Sequence, residues 1–343
     1  MDALIRPATL LAIIIMGYAL KRFAIVGNRD YRVIQTLEFG IILPGAIIHS
    51  FAATTHSPSL LWVSAFGLVA AGLPPLLILL STRRRRPTER AFLTLNGSGF
   101  NVGCFSFPLI QSFLGSAGLV PAAMFDIGNN VMVSAGTDTM MRSALRIGPG
   151  DRLDGHLSQD RRDGPSSSSP SSSSVSSSSV ADPDARRLAR RARAIGIARG
   201  FASSAAFDTY MIMVVLLVAG VRMPSWIAVA SAPFSDANAF CSMIMVGMLT
   251  ELPASTRDSK AVAQVLAWRI PCGILLAAAA WFLLPFDAVI REAVALCCLA
   301  PTAIFATMFT DKVLRNATLA GFTLSVTAVT SLVTMTGFHL LVS

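Results

Sequence analysis

The stretch 96-NGSGFNVGCFSFP-108 determines how the first half of the chain can fold. It holds three glycines, two asparagines, two serines and a proline, yet the apolar segments AFLTL and LIQSFLG flank it. Glycine and proline disfavour a helix interior, and backbone that unwinds at membrane depth must be buried in protein or line a water-filled cavity. The stretch therefore predicts a membrane-spanning helix that is interrupted near its centre.

The composition indicates an all-α polytopic membrane protein. The 343 residues are 53% hydrophobic and only 14% charged, whereas soluble domains have about 25% charged residues. Apolar runs of about 20 residues, the length that crosses a bilayer as a helix, recur along the chain. We place ten spans at residues 4–20, 33–52, 60–80, 91–114, 119–141, 206–223, 227–249, 261–283, 292–309 and 317–341.

Lysine and arginine are distributed unevenly about these spans. Of the 28 basic residues, 25 follow odd-numbered spans, and only Arg6, Arg222 and Arg291 lie on the other side. Because cytoplasmic loops carry the excess of basic residues, we expect both termini outside, the central loop in the cytoplasm and the chain in the plasma membrane. The net charge of +9 is confined between apolar spans, so it does not indicate a nucleic-acid partner.

Sequence motifs for catalysis and metal binding are missing. The chain has no HExxH, GxSxG or P-loop motif, and its five cysteines include no CxxC pair. These patterns would supply a metal site, a nucleophile or a nucleotide site. We therefore expect no enzyme activity, no metal and no cofactor, and transport, if present, must be secondary or facilitative.

The chain divides into residues 1–141, a central loop at 142–200 and residues 201–343. The loop contains GPSSSSPSSSSVSSSSVADPD, whose composition predicts a flexible linker. Five spans on each side make the two halves opposite in orientation, which predicts two inverted five-helix repeats. Inverted repeats with interrupted helices near the midplane are typical of transporters, and the counterpart of the opening stretch in span 9 is CCLAPTAIFATMFTD, with Pro301 at mid-span.

The candidate site residues lie in the interrupted spans and in span 5. Asn101 and Gly103 offer a carboxamide and close backbone approach, which suit a small carboxylate. Asp126 lies deep in span 5 with Asn130 one turn on, and a carboxylate at that depth is a functional candidate that can exchange a coupling proton. The alternative is that Asp126 makes a structural helix–helix hydrogen bond. The predicted substrate-binding residues are Asn96, Asn101, Gly103, Asp126, Asn130 and Thr302, and the predicted helix-break residues are Pro108 and Pro301.

The layout and four motifs resemble the auxin efflux carrier family, which includes the plant PIN proteins and bacterial membrane transport proteins. The motifs are LPGAIIHSF in span 2, NVGCFSFPLIQSFLG in span 4, FDIGNN in span 5 and LAPTAIFA in span 9. The resemblance implies a scaffold and a transport domain, spans 4 and 9 crossing at proline-broken centres, and elevator-type movement. It also implies that Asn101 belongs to the substrate site, and the compact size resembles bacterial members.

The resulting hypothesis is a secondary active or facilitative carrier of a small organic anion. The substrate would be a carboxylate such as malate or malonate, or an auxin-like acid, with proton coupling expected ahead of sodium coupling. A sodium-coupled organic-anion symporter stays open because the fold resembles the bile-acid symporters. A second alternative is a non-transporting receptor or scaffold that uses the basic, serine-rich loop. The expected partners are the lipid bilayer and the substrate, and a homodimer is compatible with this organisation.

Overall fold

The computed structural model describes residues 2–27, 29–53, 57–148, 151–153, 205–221, 223–253 and 255–343. Within these ranges the regular structure is entirely helical, and none of the described residues forms a β-strand. Most of the predicted central loop, residues 154–200, lies outside the described residues. The start of this loop is described. Helix continues past the predicted boundary at residue 141 and ends at Leu145.

The first half contains eight α-helices among its described residues. They are α1 (Asp2–Arg22), α2 (Tyr31–Leu37), α3 (Leu43–Ala53), α4 (Leu61–Ser81), α5 (Pro87–Asn96), α6 (Phe107–Leu114), α7 (Leu119–Val131) and α8 (Thr137–Leu145). Single π-helical turns join α2 to α3, lead into α6 and join α7 to α8, at Glu38–Ile42, Val102–Ser106 and Met132–Gly136. Short 3-10 turns at Pro58–Leu60 and Gly115–Gly118 precede α4 and α7.

The described residues of the second half are also helical. The described residues form α9 (Ala205–Val218), α10 (Ser225–Leu249), α11 (Thr256–Leu283), α12 (Ala288–Cys298), α13 (Ile304–Leu314) and α14 (Ala317–Val342). Every predicted span contains helix, although the helix bounds differ from the predicted ones. Among the residues that the structure describes, five helical stretches are long and apolar enough to cross a membrane, namely Tyr31–Ala53, Pro58–Ser81, Val102–Leu145, Thr256–Leu283 and Ala317–Val342.

Short polar side chains mark where three helices of the second half begin. Ser255, Asp287 and Asn316 each accept a hydrogen bond from the backbone N–H three residues further on, at 2.9–3.2 Å. Such N-caps satisfy N–H groups that have no partner within the helix. The helix predicted over residues 206–223 ends earlier, at Val218, because Gly220 takes a left-handed conformation that terminates it.

The helices pack as two groups. In the first group, α10 packs on α1 and α3, and α9 packs on α3. At one such contact, a Cβ added to Gly247 would lie 2.1 Å from the carbonyl oxygen of Ile14, so only glycine permits this approach. In the second group, α4 packs on α7, α11 on α12, and α13 on α5 and α14. The two interrupted segments belong to the second group, and the first of them contacts α10 of the first group.

Candidate functional site

The two interrupted segments meet. Helix α5 ends at Asn96 and regular helix resumes at Val102, whereas α12 ends at Cys298 and α13 begins at Ile304. The Asn101 N–H donates to the carbonyl oxygen of Pro301 at 3.0 Å. The Thr302 hydroxyl donates to the carbonyl oxygen of Asn96 at 3.0 Å. We call residues 96–103 and 299–303 the crossing.

Local backbone geometry explains where the first segment breaks. Gly99 has φ of +68°, which an L side chain adopts only at a cost. The added Cβ would also lie 2.7 Å from Cγ2 of Val133. Pro108 lies at the start of α6, directly after the π-helical turn Val102–Ser106, rather than in the break. Pro301, in contrast, lies within the second break.

Asn96 and Asn101 present polar atoms inside the crossing. Both side chains are buried, at 0% and 5% relative exposure. The Asn96 amide nitrogen donates to the Phe92 carbonyl at 3.0 Å and to the Thr310 hydroxyl at 2.9 Å. Its oxygen Oδ1, and the Asn101 nitrogen Nδ2, have no hydrogen-bond partner among the described residues. One acceptor and one donor are thus left for a ligand.

Asp126 is connected to the crossing through the side-chain amide of Asn129. Its two carboxylate oxygens accept from Asn129 Nδ2 and from the Tyr210 hydroxyl, both at 2.8 Å. Asn129 in turn accepts from the Phe100 N–H at 3.0 Å and donates to the Phe100 carbonyl at 2.8 Å. The buried Asn129 amide therefore pairs with unwound backbone as another peptide would, and Asp126 holds that amide in orientation.

The remaining predicted residues differ in their burial and in their contacts with the crossing. Gly103 accepts at its carbonyl from Asn238 Nδ2 at 3.4 Å, and Thr302 is fully buried. Asn130 is half-buried, and the hydrogen bond described for it is at its backbone oxygen, from Ser134. The structure thus brings Asn96, Asn101, Gly103 and Thr302 together, links Asp126 to them through Asn129, and leaves Asn130 at the edge.

Arg269 is a site residue that the sequence analysis counted as a marker of topology. Its guanidinium donates from Nη1 and Nη2 to four carbonyl oxygens at 2.7–3.4 Å. These oxygens come from both breaks, at residues 96, 98, 99 and 300. The signal that could have found it is an arginine in the middle of the apolar helix α11, a costly position.

A second carboxylate lies beside the crossing on the side of α10. Glu38 is fully buried and accepts from the Ser242 hydroxyl at 2.6 Å. Its other oxygen, Oε2, has no partner within the described ranges. Ser242 also lies 3.3 Å from Oδ1 of Asn238, the residue that contacts Gly103. Glu38 is thus linked to the crossing through two residues, Ser242 and Asn238.

The crossing is closely packed in this conformation. The cavity that reaches it has a volume of about 30 Å³, which holds about one water molecule. Arg269, Ala300 and Thr327 line it together with apolar residues of α11 and hydroxyl-bearing residues of α14. This cavity is too small for a molecule larger than water.

Comparison with known proteins identifies the family of the chain. A family profile described as membrane transport protein matches residues 3–339. An uncharacterized transporter of the archaeon Methanothermobacter thermautotrophicus is 25% identical over 150 residues, which is 42% of this chain. The match spans 49%, about half, of that relative's length. Because the family profile covers nearly the whole chain, this multi-pass membrane protein belongs to the membrane transport protein family, the auxin efflux carrier family that its motifs indicated.

Proposed function

We propose that the protein is a secondary active or facilitative carrier of a small organic anion. The observation that carries the proposal is the pair of unpaired side-chain atoms at the crossing, Oδ1 of Asn96 and Nδ2 of Asn101. Buried polar groups are normally hydrogen-bonded, so an unpaired donor and acceptor where two broken helices meet are suited to a ligand. Broken helices near the midplane hold the substrate in many secondary transporters.

An anionic substrate fits the electrostatics of the crossing. The helical segments that resume at Val102 and Ile304 both start there. The N-terminal end of a helix carries a partial positive charge that favours anions. Arg269 adds a full positive charge among the same residues. A carboxylate such as malate, malonate or an auxin-like acid matches this charge and the free amide donor of Asn101.

The two packed groups of helices support an elevator-type movement. In this proposal α1, α2, α3, α9 and α10 form the scaffold, and the remaining helices carry the crossing as the transport domain. The cavity lined by Arg269 and Ala300 is too small for a carboxylate, and sliding of the transport domain against α10 would open a path for the substrate. The same proposal includes ten membrane crossings as two inverted repeats, with both termini outside and the chain in the plasma membrane.

Coupling to protons is the proposed source of energy if the carrier is active. Two buried carboxylates, Asp126 and Glu38, lie next to the crossing, and either can exchange a proton during the cycle. The alternative receptor or scaffold function rests on the serine-rich loop, most of which lies outside the described residues. Deleting residues 164–184 separates the two, because transport would survive the deletion and recruitment of a cytoplasmic partner would not.

The test is uptake of a panel of radiolabelled mono- and dicarboxylates into proteoliposomes that contain the purified full chain. We expect uptake of at least one carboxylate above that of empty liposomes. Asn101→Ala should remove most of this uptake, and Asn101→Asp should remove it completely because a second anion would then face the substrate.

The matched control is Gln264→Ala, which removes an exposed carboxamide on α11 that accepts from Arg85. This variant should transport as the wild type does. If Asn101→Ala and Gln264→Ala keep the same uptake of a transported carboxylate, the assignment of the crossing as the substrate site is wrong. If no carboxylate is taken up, the organic-anion proposal fails.

A further inference from the structure

Four carbonyl oxygens converge at the crossing on a single cation, Arg269. One belongs to Asn96, the last residue of α5, and the other three belong to the unwound residues that follow α5 and α12. The distances from the guanidinium nitrogens are 2.7 Å to the carbonyl of Ala300, 2.9 Å to Gly99, 3.2 Å to Ser98 and 3.4 Å to Asn96. Both halves of the chain therefore contribute oxygens to the same positive group.

The charge of Arg269 is balanced by these carbonyls and not by a carboxylate. The described residues form three ion pairs, Lys21–Glu251, Arg142–Asp138 and His339–Glu292, and Arg269 takes part in none of them. Helix C-termini carry partial negative charge, and two of them end here. The ring of Phe100 lies under the guanidinium at 5.5 Å and adds a cation–π contact. The site is thus electronegative without any acidic side chain.

A cluster of unwound carbonyls and half-helix C-termini is the arrangement that holds a coupling sodium ion in carriers with broken helices. We propose that Arg269 is the resident cation of this carbonyl site, so that the protein needs no sodium ion there. The four hydrogen bonds from Arg269 support its occupancy of the site without any assumption about function. The consequence for coupling rests on the proposed carrier function.

A fixed cation changes what the crossing can carry. Helix α11 packs on α12 and also contacts α4 and α5, so Arg269 belongs to the same group of helices as the two breaks. The positive charge therefore stays with the crossing when this group moves. This positive charge can balance the negative charge of a bound monovalent anion. A carrier without such a residue takes the balancing charge from a co-transported cation.

The first test measures thermal unfolding of the purified full chain in detergent, without substrate. In choline chloride, the wild-type midpoint should not change when sodium or guanidinium chloride is added at millimolar concentration. Arg269→Ala should lower the midpoint by roughly 5–10 °C, the scale expected for losing a buried charged hydrogen-bond network. Guanidinium or sodium should restore part of that loss by entering the vacated carbonyl site. Arg269→Lys keeps the positive charge and should stay insensitive to both.

The matched control is Arg291→Ala. Arg291 also donates to a backbone carbonyl, that of Trp281 at 3.2 Å, and lies 5.1 Å from its ring, away from the crossing. This variant should gain no response to guanidinium. If Arg269→Ala does not fold, Arg269→Gln provides a neutral side chain that still donates hydrogen bonds. The proposal is overturned if neither cation stabilises the neutral Arg269 variants, or if both stabilise Arg291→Ala equally.

The second test compares uptake of a transported carboxylate in sodium and in choline media at fixed pH. Equal rates are expected for the wild type, and uptake that requires sodium would overturn the inference. If no carboxylate is transported, the proposed function fails while the thermal measurements still decide whether Arg269 occupies a cation site.

Discussion

Replacing Asn129 by alanine should destabilise the protein more than any neighbouring polar substitution in α7. The Asn129 side chain pairs with both backbone groups of Phe100 and donates to Asp126. It is 1% exposed, so water does not replace these bonds in the folded protein. Alanine would leave three buried groups without a partner, and two of them are main-chain groups of an unwound segment.

The expected loss follows from these three groups. A buried group left unpaired costs about 1–3 kcal/mol in soluble proteins, whereas side-chain hydrogen bonds in membrane proteins average about 0.6 kcal/mol. For three groups, these values bracket the loss in the free energy of unfolding at roughly 2–9 kcal/mol. Asn129→Asp keeps an acceptor for the Phe100 N–H but sets a second carboxylate against Asp126, so its loss should be at least as large.

The measurement is equilibrium unfolding in mixed micelles with increasing denaturing detergent, followed by the fluorescence of the four tryptophans. The control is Asn130→Ala, the adjacent asparagine, whose described hydrogen bond is made by its backbone. It should cost less than about 1 kcal/mol, as most substitutions outside buried networks do. Equal losses for the two alanine variants would show that Asn129 does not support the unwound segment.

Two further substitutions test the backbone of the crossing and the proposed coupling. Gly99→Ala should destabilise by about 1–2 kcal/mol from its left-handed φ alone, and more from the contact with Val133, so that Val133→Ala recovers only part of the loss. In the same unfolding assay Gly337→Ala should cost nothing, because its added Cβ meets no neighbour. Glu38→Gln should flatten the pH dependence of carboxylate uptake, because an amide has no proton to exchange, and an unchanged profile would place coupling at another group.

The positions of the helices could be predicted from hydropathy, and their ends could not. Apolar runs of span length are a strong signal, so every predicted span contains helix. The ninth span was placed at 292–309, yet helix extends from Ala288 to Leu314 apart from the break. Its ends carry polar residues such as Asp311, which a hydropathy argument assigns to loops. The π-helical turn at Glu38–Ile42 lies inside the predicted second span, where hydropathy gives no sign of it.

The site could be predicted in part. Asn101 and Thr302 stand inside visible interruptions of apolar sequence, so composition points directly to them. The contact of Arg269 with the crossing was not predicted, because a count of basic residues treats each of them as a marker of the cytoplasmic side. Its partners are carbonyls about 170 residues earlier in the chain and 31 residues later. Likewise, the bond from Tyr210 to Asp126 joins residues 84 positions apart, and only the folded chain shows such pairs.

The polar groups of the crossing fall into two sets. The first set, the frame, consists of groups that are hydrogen-bonded within the protein. The second set is the pair of side-chain atoms of Asn96 and Asn101 that have no partner among the described residues. Unwinding two helices in an apolar solvent leaves main-chain groups that must be satisfied within the protein. Here Asn129, Arg269 and Thr302 satisfy such groups on the first break, and the Asn101 N–H satisfies the carbonyl of Pro301. The atoms left unpaired at the heart of the crossing belong to the side chains of two asparagines.

This division has a physical consequence for how substitutions act. The main-chain groups of the frame already have hydrogen-bond partners within the protein. The frame therefore stays folded whether or not a ligand is bound. Ligand exchange at the asparagine side chains then costs no main-chain hydrogen bond. Substitutions in the frame should therefore lower stability first, whereas substitution of Asn101 should lower uptake and leave the unfolding free energy nearly unchanged. A carrier that must release its substrate at each cycle requires this separation of folding from binding.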